Sequence, residues 1–172
     1  IDPSADARQI LATLIADSAQ RYAQAGLLDA GRAVGMDPYQ VLTVASLVQR
    51  ESQPDDFGKV ARVIYNRLAV DQKLEFDSTV NYPLDRQEVA TTDEDRARPT
   101  PWNTYVRQGL PATPICSPSD PALAAAEHPA PGDWLYFVTI DRQGTTLFTR
   151  DYDQHLANIE VALDNGVLDS AR

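Results

Sequence analysis

The stretch VLTVASLVQRESQPDD, residues 41–56, is typical of an amphipathic helix that ends on an acidic residue. Leu47 and Val48 belong to an apolar stripe whose members recur at helical spacing. Glu51 follows them by four and three positions, so its side chain lies on the same stripe. Gln49 is two positions away, roughly 200° around the helix, and points elsewhere. The spacing therefore predicts that Glu51 faces the protein interior.

Two interpretations of Glu51 follow from this position. A carboxyl group that its neighbours partly desolvate favours its neutral form, so its pKa rises, as a general acid at neutral pH requires. The alternative is a solvated helix end, in which Glu51 is frayed into water or paired with Arg50 or Arg62. The helix pattern alone leaves both interpretations open.

The composition predicts one globular domain that spans residues 1–172. Hydrophobic residues make up 43% and charged residues 23% of the chain, as in ordinary soluble domains. The formal net charge of −10 disfavours a nucleic-acid binder, which needs a basic face to neutralise phosphates. Neutral or amphoteric substrates such as glycans remain compatible with this charge.

Metal and cofactor sites are not indicated. Cys116 is the one cysteine, and the two histidines, His128 and His155, lie far apart in the sequence. We therefore expect no metal and no cofactor. No apolar run approaches the length of a membrane span, and the chain starts at Ile1, so we expect a domain excised from a longer protein.

The order of patterns predicts an α+β fold whose helical N-terminal half carries Glu51. Apolar spacing and cap residues indicate helices over 5–24, 38–51 and 57–69. Between the first two, Gly26 and Gly31 bound a segment that we expect to be a linker.

The rest of the chain changes character. Residues from about 72 to 120 are rich in proline and lack periodicity, but they include Trp102, so we expect a long ordered loop that packs. Thr92 suits the N-cap of a short helix within it. A short helix is expected over 121–127, and WLYFVTI and TTLFT predict a β-hairpin. A helix over 152–165 closes the fold.

A group of polar residues in the middle segment suits a sugar. Asp77 lies in LEFDSTVNY, and Asn103, Thr104 and Tyr105 follow a proline turn. Amides and hydroxyls hydrogen-bond to sugar hydroxyls, and an aromatic face packs on the ring. A turn-capping Asp77 and a self-bonded turn are the competing interpretations.

Three further polar residues have weaker functional interpretations. His155 precedes the apolar positions of the last helix, where a buried or surface histidine is expected more often than a catalyst. Arg62 and Arg67 are expected to be solvated or paired with acidic residues. The sequence has no Gly-rich phosphate loop and no Gly-x-Ser-x-Gly elbow.

Several separated segments, in order, resemble one family. ASLVQRES, KVARVIYNRL, DSTVNY, WNTY, GLPATPI and LYFV, from about Leu42 to His155, resemble the endolytic murein transglycosylase family, also called the YceG-like or MltG family. The resemblance implies cleavage of peptidoglycan glycan strands between N-acetylmuramic acid and N-acetylglucosamine. The products of such enzymes end in 1,6-anhydro-N-acetylmuramic acid.

The resemblance also implies site residues. The family's catalytic glutamate lies in an E-[KR]-E-[TS] segment, which here is QRES, so Gln49 replaces the first glutamate and Glu51 is the expected catalytic acid and base. The DSTV and NTY segments match two other family segments. They supply the expected substrate-binding residues: Asp77, Thr79, Asn103, Thr104 and Tyr105.

The sequence departs from the family pattern at three further positions. Ser78 replaces a proline, Trp102 a tyrosine, and Thr146 a histidine that many members carry before the strand phenylalanine. The family is anchored to the inner membrane, faces outward and is linked to peptidoglycan synthases. We therefore expect a membrane-anchored parent protein that acts at the extracytoplasmic face, with peptidoglycan strands and a peptidoglycan synthase as partners.

Two alternative functions remain at this point. A lysozyme-like hydrolase would need a second carboxylate as nucleophile or base, and Asp77 is the candidate. A non-catalytic cell-wall binding module would leave Glu51 exposed, with an unperturbed pKa.

Overall fold

The computed structural model describes residues 4–84 and 91–168. Within these ranges the chain has an α+β fold, which confirms the predicted class. The elements in chain order are α1 (Ala7–Gln24), α2 (Leu27–Val34), α3 (Pro38–Glu51), a 3-10 turn (Pro54–Asp56), α4 (Phe57–Ala69), α5 (Asp77–Asn81), α6 (Asp93–Ala97), α7 (Asp120–Glu127), β1 (Tyr136–Thr139), β2 (Thr146–Thr149) and α8 (Tyr152–Asp164).

Helix α3 carries Glu51, and local sequence sets its start. The Asp37 carboxylate accepts hydrogen bonds from the backbone amides of Tyr39 and Gln40, at 2.8 and 3.0 Å. In return, the Gln40 side chain accepts one from the Asp37 amide at 3.0 Å. This capping box satisfies amides that have no partner within the helix, and Pro38 at the first position loses no bond there. The predicted start is confirmed.

The hydrophobic core lies where α3 packs against α2, α4 and α7. The apolar stripe of α3 is at its centre, because Val41, Val44, Leu47 and Val48 are all fully buried. Burying one such side chain stabilises a fold by about 1.5–3 kcal/mol. The core therefore fixes the rotation of α3 about its axis, and with it the direction in which Glu51 leaves the helix.

The segment after Gly26 forms helix α2, so the predicted linker is wrong. Gly31 lies inside that helix. A Cβ there would come within 2.0 Å of the Met36 carbonyl oxygen, so glycine permits the following chain to pass close by. Glycine weakens helices on average, which is why the pattern indicated a break.

The proline-rich middle segment is ordered and packed in the part that the structure describes, as predicted; residues 85–90 lie outside it. The Trp102 indole donates to the Thr113 hydroxyl at 2.8 Å. The Ile115 amide donates to the Ser46 hydroxyl on α3 at 3.0 Å. These bonds hold the segment against the core.

Two short helices occur in or beside this segment. The predicted cap of α6 is confirmed, since the Thr92 hydroxyl accepts from the Asp95 amide at 3.2 Å. Helix α5 was not predicted, because five residues are too few for a periodic signal.

The hairpin and closing helix complete the fold. Strands β1 and β2 pair antiparallel with Phe137 opposite Phe148, which confirms the predicted hairpin. Helix α8 starts at the Asp151 cap, whose carboxylate accepts from the Gln154 amide at 2.7 Å, and it packs on β1. Among the described residues, no helix combines the length and the apolarity that crossing a membrane requires.

Candidate active site

A cavity of about 380 Å³ opens at the C-terminal end of α3. Helices α3, α4, α5 and α8, strand β1 and the loops between them all contribute to its wall. Its described lining residues are Glu51, Arg67, Glu75, Phe76, Asp77, Tyr105, Phe137, His155 and Leu168. Three carboxylates, two cationic or imidazole groups and three aromatic rings therefore meet in one place.

Glu51 is the last residue of α3 and is partly buried. Burial raises the pKa of its carboxyl group from 4.5 to about 7, and the negative charge of Asp77 adds to this rise. In the described part of the chain, no ion pair joins Glu51 to Arg50 or Arg62. The preceding Gln49 points the other way, because its side-chain oxygen accepts from the Ser119 amide at 3.0 Å. Glu51 is thus able to hold a proton near neutral pH.

Ser78, in the first turn of α5, opposes part of this rise. Its hydroxyl and its backbone amide both lie near the Glu51 carboxyl and lower the pKa of that group. The hydroxyl is buried, yet it makes no hydrogen bond of good geometry to any described residue. A small adjustment of the Ser78 side chain is therefore enough to complete a bond to Glu51 when the carboxyl group ionises.

Asp77 shares the cavity with Glu51 and is held by three donors. Its Oδ1 accepts from the hydroxyls of Thr91 and Tyr105, both at 2.7 Å, and from the Arg96 guanidinium at 3.3 Å. The Arg96 guanidinium also lies 5.2 Å from the centre of the Tyr105 ring. Burial and then Asp77 raise the pKa of Tyr105, so its hydroxyl keeps its proton. The arrangement fixes the Asp77 carboxylate close to the acid.

The other three expected site residues lie beneath the cavity wall. Thr79, Asn103 and Thr104 are almost completely buried. The two threonine hydroxyls are 2.9 Å apart, and that of Thr104 also accepts from the Phe76 amide at 3.0 Å. The structure therefore brings these residues close to the cavity, with their polar groups engaged inside the protein.

Among the described residues, the partners of the Asn103 side chain are all main-chain groups. Its amide nitrogen donates to the carbonyls of Arg96 and Arg98 at 2.9 and 2.8 Å. Its oxygen accepts from the Tyr105 amide at 2.8 Å. Asn103 thus supports the turn that presents Tyr105 to the cavity.

Arg67 is a cavity residue whose environment the sequence did not indicate. It is only 6% exposed, so the expectation of a solvated or acid-paired side chain is wrong. Its guanidinium donates to the carbonyls of Leu74 at 2.5 Å and Leu135 at 2.6 Å. The available signal was its spacing, since Arg67 follows Val63 by four and Ile64 by three positions on a buried stripe.

Two residues near the hairpin differ in their relation to the cavity. His155 lines it, stacked on Tyr136 with 5.0 Å between ring centres. Thr146 is not among its described lining residues, and its hydroxyl lies 3.3 Å from that of Thr139 on the neighbouring strand. The threonine that replaces the family's histidine is therefore a strand-pairing residue.

No metal centre is evident in residues 4–84 and 91–168, where no group of three or more His, Cys, Asp and Glu side chains is placed to hold an ion.

Comparison with curated proteins gives relatives that share one description. A protein described as "Endolytic murein transglycosylase" from Bacillus subtilis (strain 168) is 34% identical over 118 residues, which are 68% of this chain and 32% of the relative. A protein of the same description from Streptococcus pneumoniae (strain D39) is 29% identical over 126 residues, 70% of this chain and 23% of the relative. The chain thus spans a third or less of these relatives.

Comparison with solved structures gives the same assignment. The crystal structure of a putative yceG-like protein from Listeria monocytogenes matches with a TM-score of 0.80 and 30% identity. The match covers 89% of this chain and 49% of that one. The model of the YceG-like family matches residues 1–161. Since that match takes in most of the sequence, the chain belongs to the YceG-like family.

Proposed function

We propose that this chain is the catalytic region of an endolytic lytic transglycosylase that cleaves peptidoglycan glycan strands between N-acetylmuramic acid and N-acetylglucosamine. The observation that carries the proposal is the Glu51 carboxyl group, whose pKa is raised to about 7 in an open cavity. A general acid works best when its pKa lies near the working pH. The description of the relatives from Bacillus and Streptococcus supports the same substrate.

The proposed reaction needs one carboxyl group. Protonated Glu51 donates its proton to the glycosidic oxygen as the bond from that oxygen to C1 of N-acetylmuramic acid breaks. The C6 hydroxyl of the same sugar then bonds to C1, and ionised Glu51 takes the hydroxyl proton. One bond breaks, one forms, and Glu51 returns to its starting state without water. The products carry 1,6-anhydro ends.

Charged and hydrogen-bonding groups around Glu51 suit this cycle. The fixed carboxylate of Asp77 favours the protonated acid before cleavage and stabilises positive charge that develops at C1. The Ser78 hydroxyl favours the ionised form that follows. Both groups are in place before substrate binds, so little reorganisation accompanies the proton transfer.

Direct contact with the glycan falls to the two expected residues that line the cavity, Asp77 and Tyr105. The buried Thr79, Asn103 and Thr104 support them, since their polar groups already have partners within the protein. A glycan strand could bind these buried groups directly only by breaking their hydrogen bonds within the protein, at a cost in stability.

The hydrolase alternative assigns Asp77 as nucleophile or base. Three donors already occupy its Oδ1, so attack or proton abstraction by that oxygen would require those hydrogen bonds to break, which favours a charge-stabilising role. The binding-module alternative requires an exposed Glu51 with an ordinary pKa, and burial raises that pKa instead.

Product analysis tests the proposal. Purified peptidoglycan is digested with the full chain, and the released fragments are weighed by mass spectrometry. We expect anhydro ends, and a rate that falls by about 10²–10⁴-fold in Glu51→Gln, as for the loss of a general acid. Glu127→Gln is the matched control, because Glu127 is also buried with a raised pKa but lies outside the cavity, so its rate stays at the wild-type level.

Two outcomes would contradict the proposal. Fragments with reducing ends would indicate a hydrolase. Full activity of Glu51→Gln would remove the acid from the mechanism, whatever the products.

The setting of the reaction is part of the same proposal. Murein is the cell-wall polymer, so we infer that the chain acts on the outer side of the plasma membrane. A membrane anchor in the parent protein, a peptidoglycan synthase partner and the extent of the domain, 1–172, stay predictions.

A further inference from the structure

His155 presents an imidazole to the cavity from the first turns of α8. Its ring stacks on Tyr136 with 5.0 Å between ring centres and an angle of 20° between the planes. The Arg67 guanidinium lies 5.4 Å from the centre of that same tyrosine ring. Tyr152 packs near the imidazole, with ring centres 6.4 Å apart. Aromatic packing therefore holds the His155 ring in one orientation.

The imidazole is neutral at neutral pH. Burial, and then the positive charge of Arg67, lower the pKa of His155 below its ordinary 6.5. The cavity also holds charged and titratable groups from the other elements that surround His155: Glu51, Glu75, Asp77 and Tyr105. Within the described residues, none of these carboxylates forms an ion pair with His155. A neutral imidazole has one nitrogen that donates and one that accepts.

The surroundings of the two nitrogens decide which one carries the proton. Nδ1 is buried and has no hydrogen-bond partner among the described residues. A buried N–H without an acceptor is rarer in proteins than a buried acceptor without a donor, so Nδ1 is the unprotonated nitrogen. The proton then lies on Nε2, which, unlike Nδ1, is not a buried atom without a partner, and His155 lines the cavity. His155 therefore directs a neutral N–H donor toward the cavity.

We propose that His155 is a substrate-contacting residue whose Nε2–H donates a hydrogen bond to an oxygen of the glycan bound beside Glu51. The inference rests on the proposed function, because a glycan supplies neutral oxygen acceptors in a cavity that aromatic rings also line. The contact orients the sugar and transfers no proton. It differs from the Asp77 contact in direction, since the Asp77 carboxylate accepts hydrogen bonds and the His155 imidazole donates one.

Three substitutions test the donor. In His155→Phe the ring that stacks on Tyr136 remains and the N–H is lost. In His155→Gln the side-chain amide nitrogen reaches the place of Nε2 and restores a donor. Leu156→Phe is the control, because it adds the same ring at an exposed position one residue along α8.

We expect His155→Phe to lower kcat/KM on peptidoglycan by about tenfold or more, the effect of one lost hydrogen bond, with the midpoint of thermal unfolding unchanged. His155→Gln recovers most of the loss, and Leu156→Phe keeps the wild-type value. Should His155→Phe not fold, His155→Asn takes its place, since its amide is too short to reach the position of Nε2. Wild-type kinetics in His155→Phe would overturn the proposal, and so would equal losses in His155→Gln and His155→Phe.

A binding measurement separates this inference from the proposed reaction. Peptide-free glycan strands are titrated into Glu51→Gln and into the double variant with His155→Phe, and calorimetry gives both dissociation constants. We expect about tenfold weaker binding in the double variant. Equal binding, or no glycan binding by either variant, would overturn the His155 contact. Reducing ends in the product analysis would instead overturn the transglycosylase reaction and leave the binding result to decide on His155.

Discussion

At the scale of single residues, the burial that raises the pKa of Glu51 suits catalysis but lowers the stability of the fold at neutral pH. The pKa of its carboxyl group is about 7 in the folded protein, against 4.5 for an unperturbed glutamate. The folded state therefore binds this proton more tightly than the unfolded chain does. Proton binding by Glu51 therefore stabilises the folded state, fully below pH 4.5, and this contribution is lost as the pH rises through 7. The contribution amounts to roughly 3 kcal/mol at most.

The first prediction concerns this loss. Relative to the wild type, Glu51→Gln gains free energy of unfolding by roughly 3 kcal/mol between about pH 5 and about pH 8, because glutamine does not ionise. Urea unfolding of both proteins across this range measures the gain. Glu160→Gln, at an exposed position of α8, is the control and keeps a constant difference from the wild type. If the difference in free energy of unfolding between Glu51→Gln and the wild type were also independent of pH, the pKa of Glu51 would not be raised.

At the scale of elements, one turn links α6 to the cavity. Asn103 joins the end of α6 to the turn through main-chain carbonyls and holds the Tyr105 amide. Tyr105 in turn donates to Asp77 at the start of α5. The buried Asn103 amide thus helps to position two short helices that would not be stable alone.

The second prediction follows from that amide. Asn103→Ala leaves buried carbonyls and an amide without their partner, so we expect a loss of about 2–3 kcal/mol in the free energy of unfolding. We also expect lower activity, because Tyr105 loses its support. Denaturant unfolding and product release measure the two effects. Gln108→Ala, which removes an exposed bond to the Asp71 carbonyl, should cost less than about 1 kcal/mol. An Asn103→Ala protein as stable as this control would refute the supporting role.

At the scale of the whole molecule, Arg67 connects parts that are distant in the sequence. From α4 it reaches the Leu74 carbonyl before α5 and the Leu135 carbonyl before β1. Its guanidinium also lies over the Tyr136 ring. Arg67 is therefore a buried cation, beside the active-site cavity, that bonds the helical half of the fold to the hairpin half.

The third prediction tests this connection. Arg67→Lys keeps the charge but loses the planar set of donors, so one carbonyl or both lose their partner, at a cost of about 2–4 kcal/mol. Urea unfolding, monitored by tryptophan fluorescence, measures the loss. Arg150→Lys is the control, because the ion pair of Arg150 with Asp133 is 3.7 Å long and exposed and contributes under about 1 kcal/mol. Equal stability of the two variants would show that Arg67 is dispensable for holding the halves together.

The sequence alone determined the features that depend on near neighbours. The capping box at Asp37, the apolar stripe that leads to Glu51, the Thr92 cap and the hairpin were all predicted, because each signal lies within a few residues. The series of short motifs, in the order in which the family carries them, also indicated the family. The match of the family model over residues 1–161 confirms that prediction.

Only the tertiary structure decided which polar side chains face the cavity. The NTY turn has no periodicity, so nothing local indicated that Asn103 turns inward while Tyr105 lines the cavity. Arg67 finds its partner 68 residues away at Leu135, and His155 enters the cavity through its stacking on Tyr136. Hydrogen bonds and ring contacts of this range form only after the helices have packed, so no pattern of neighbouring residues can specify them.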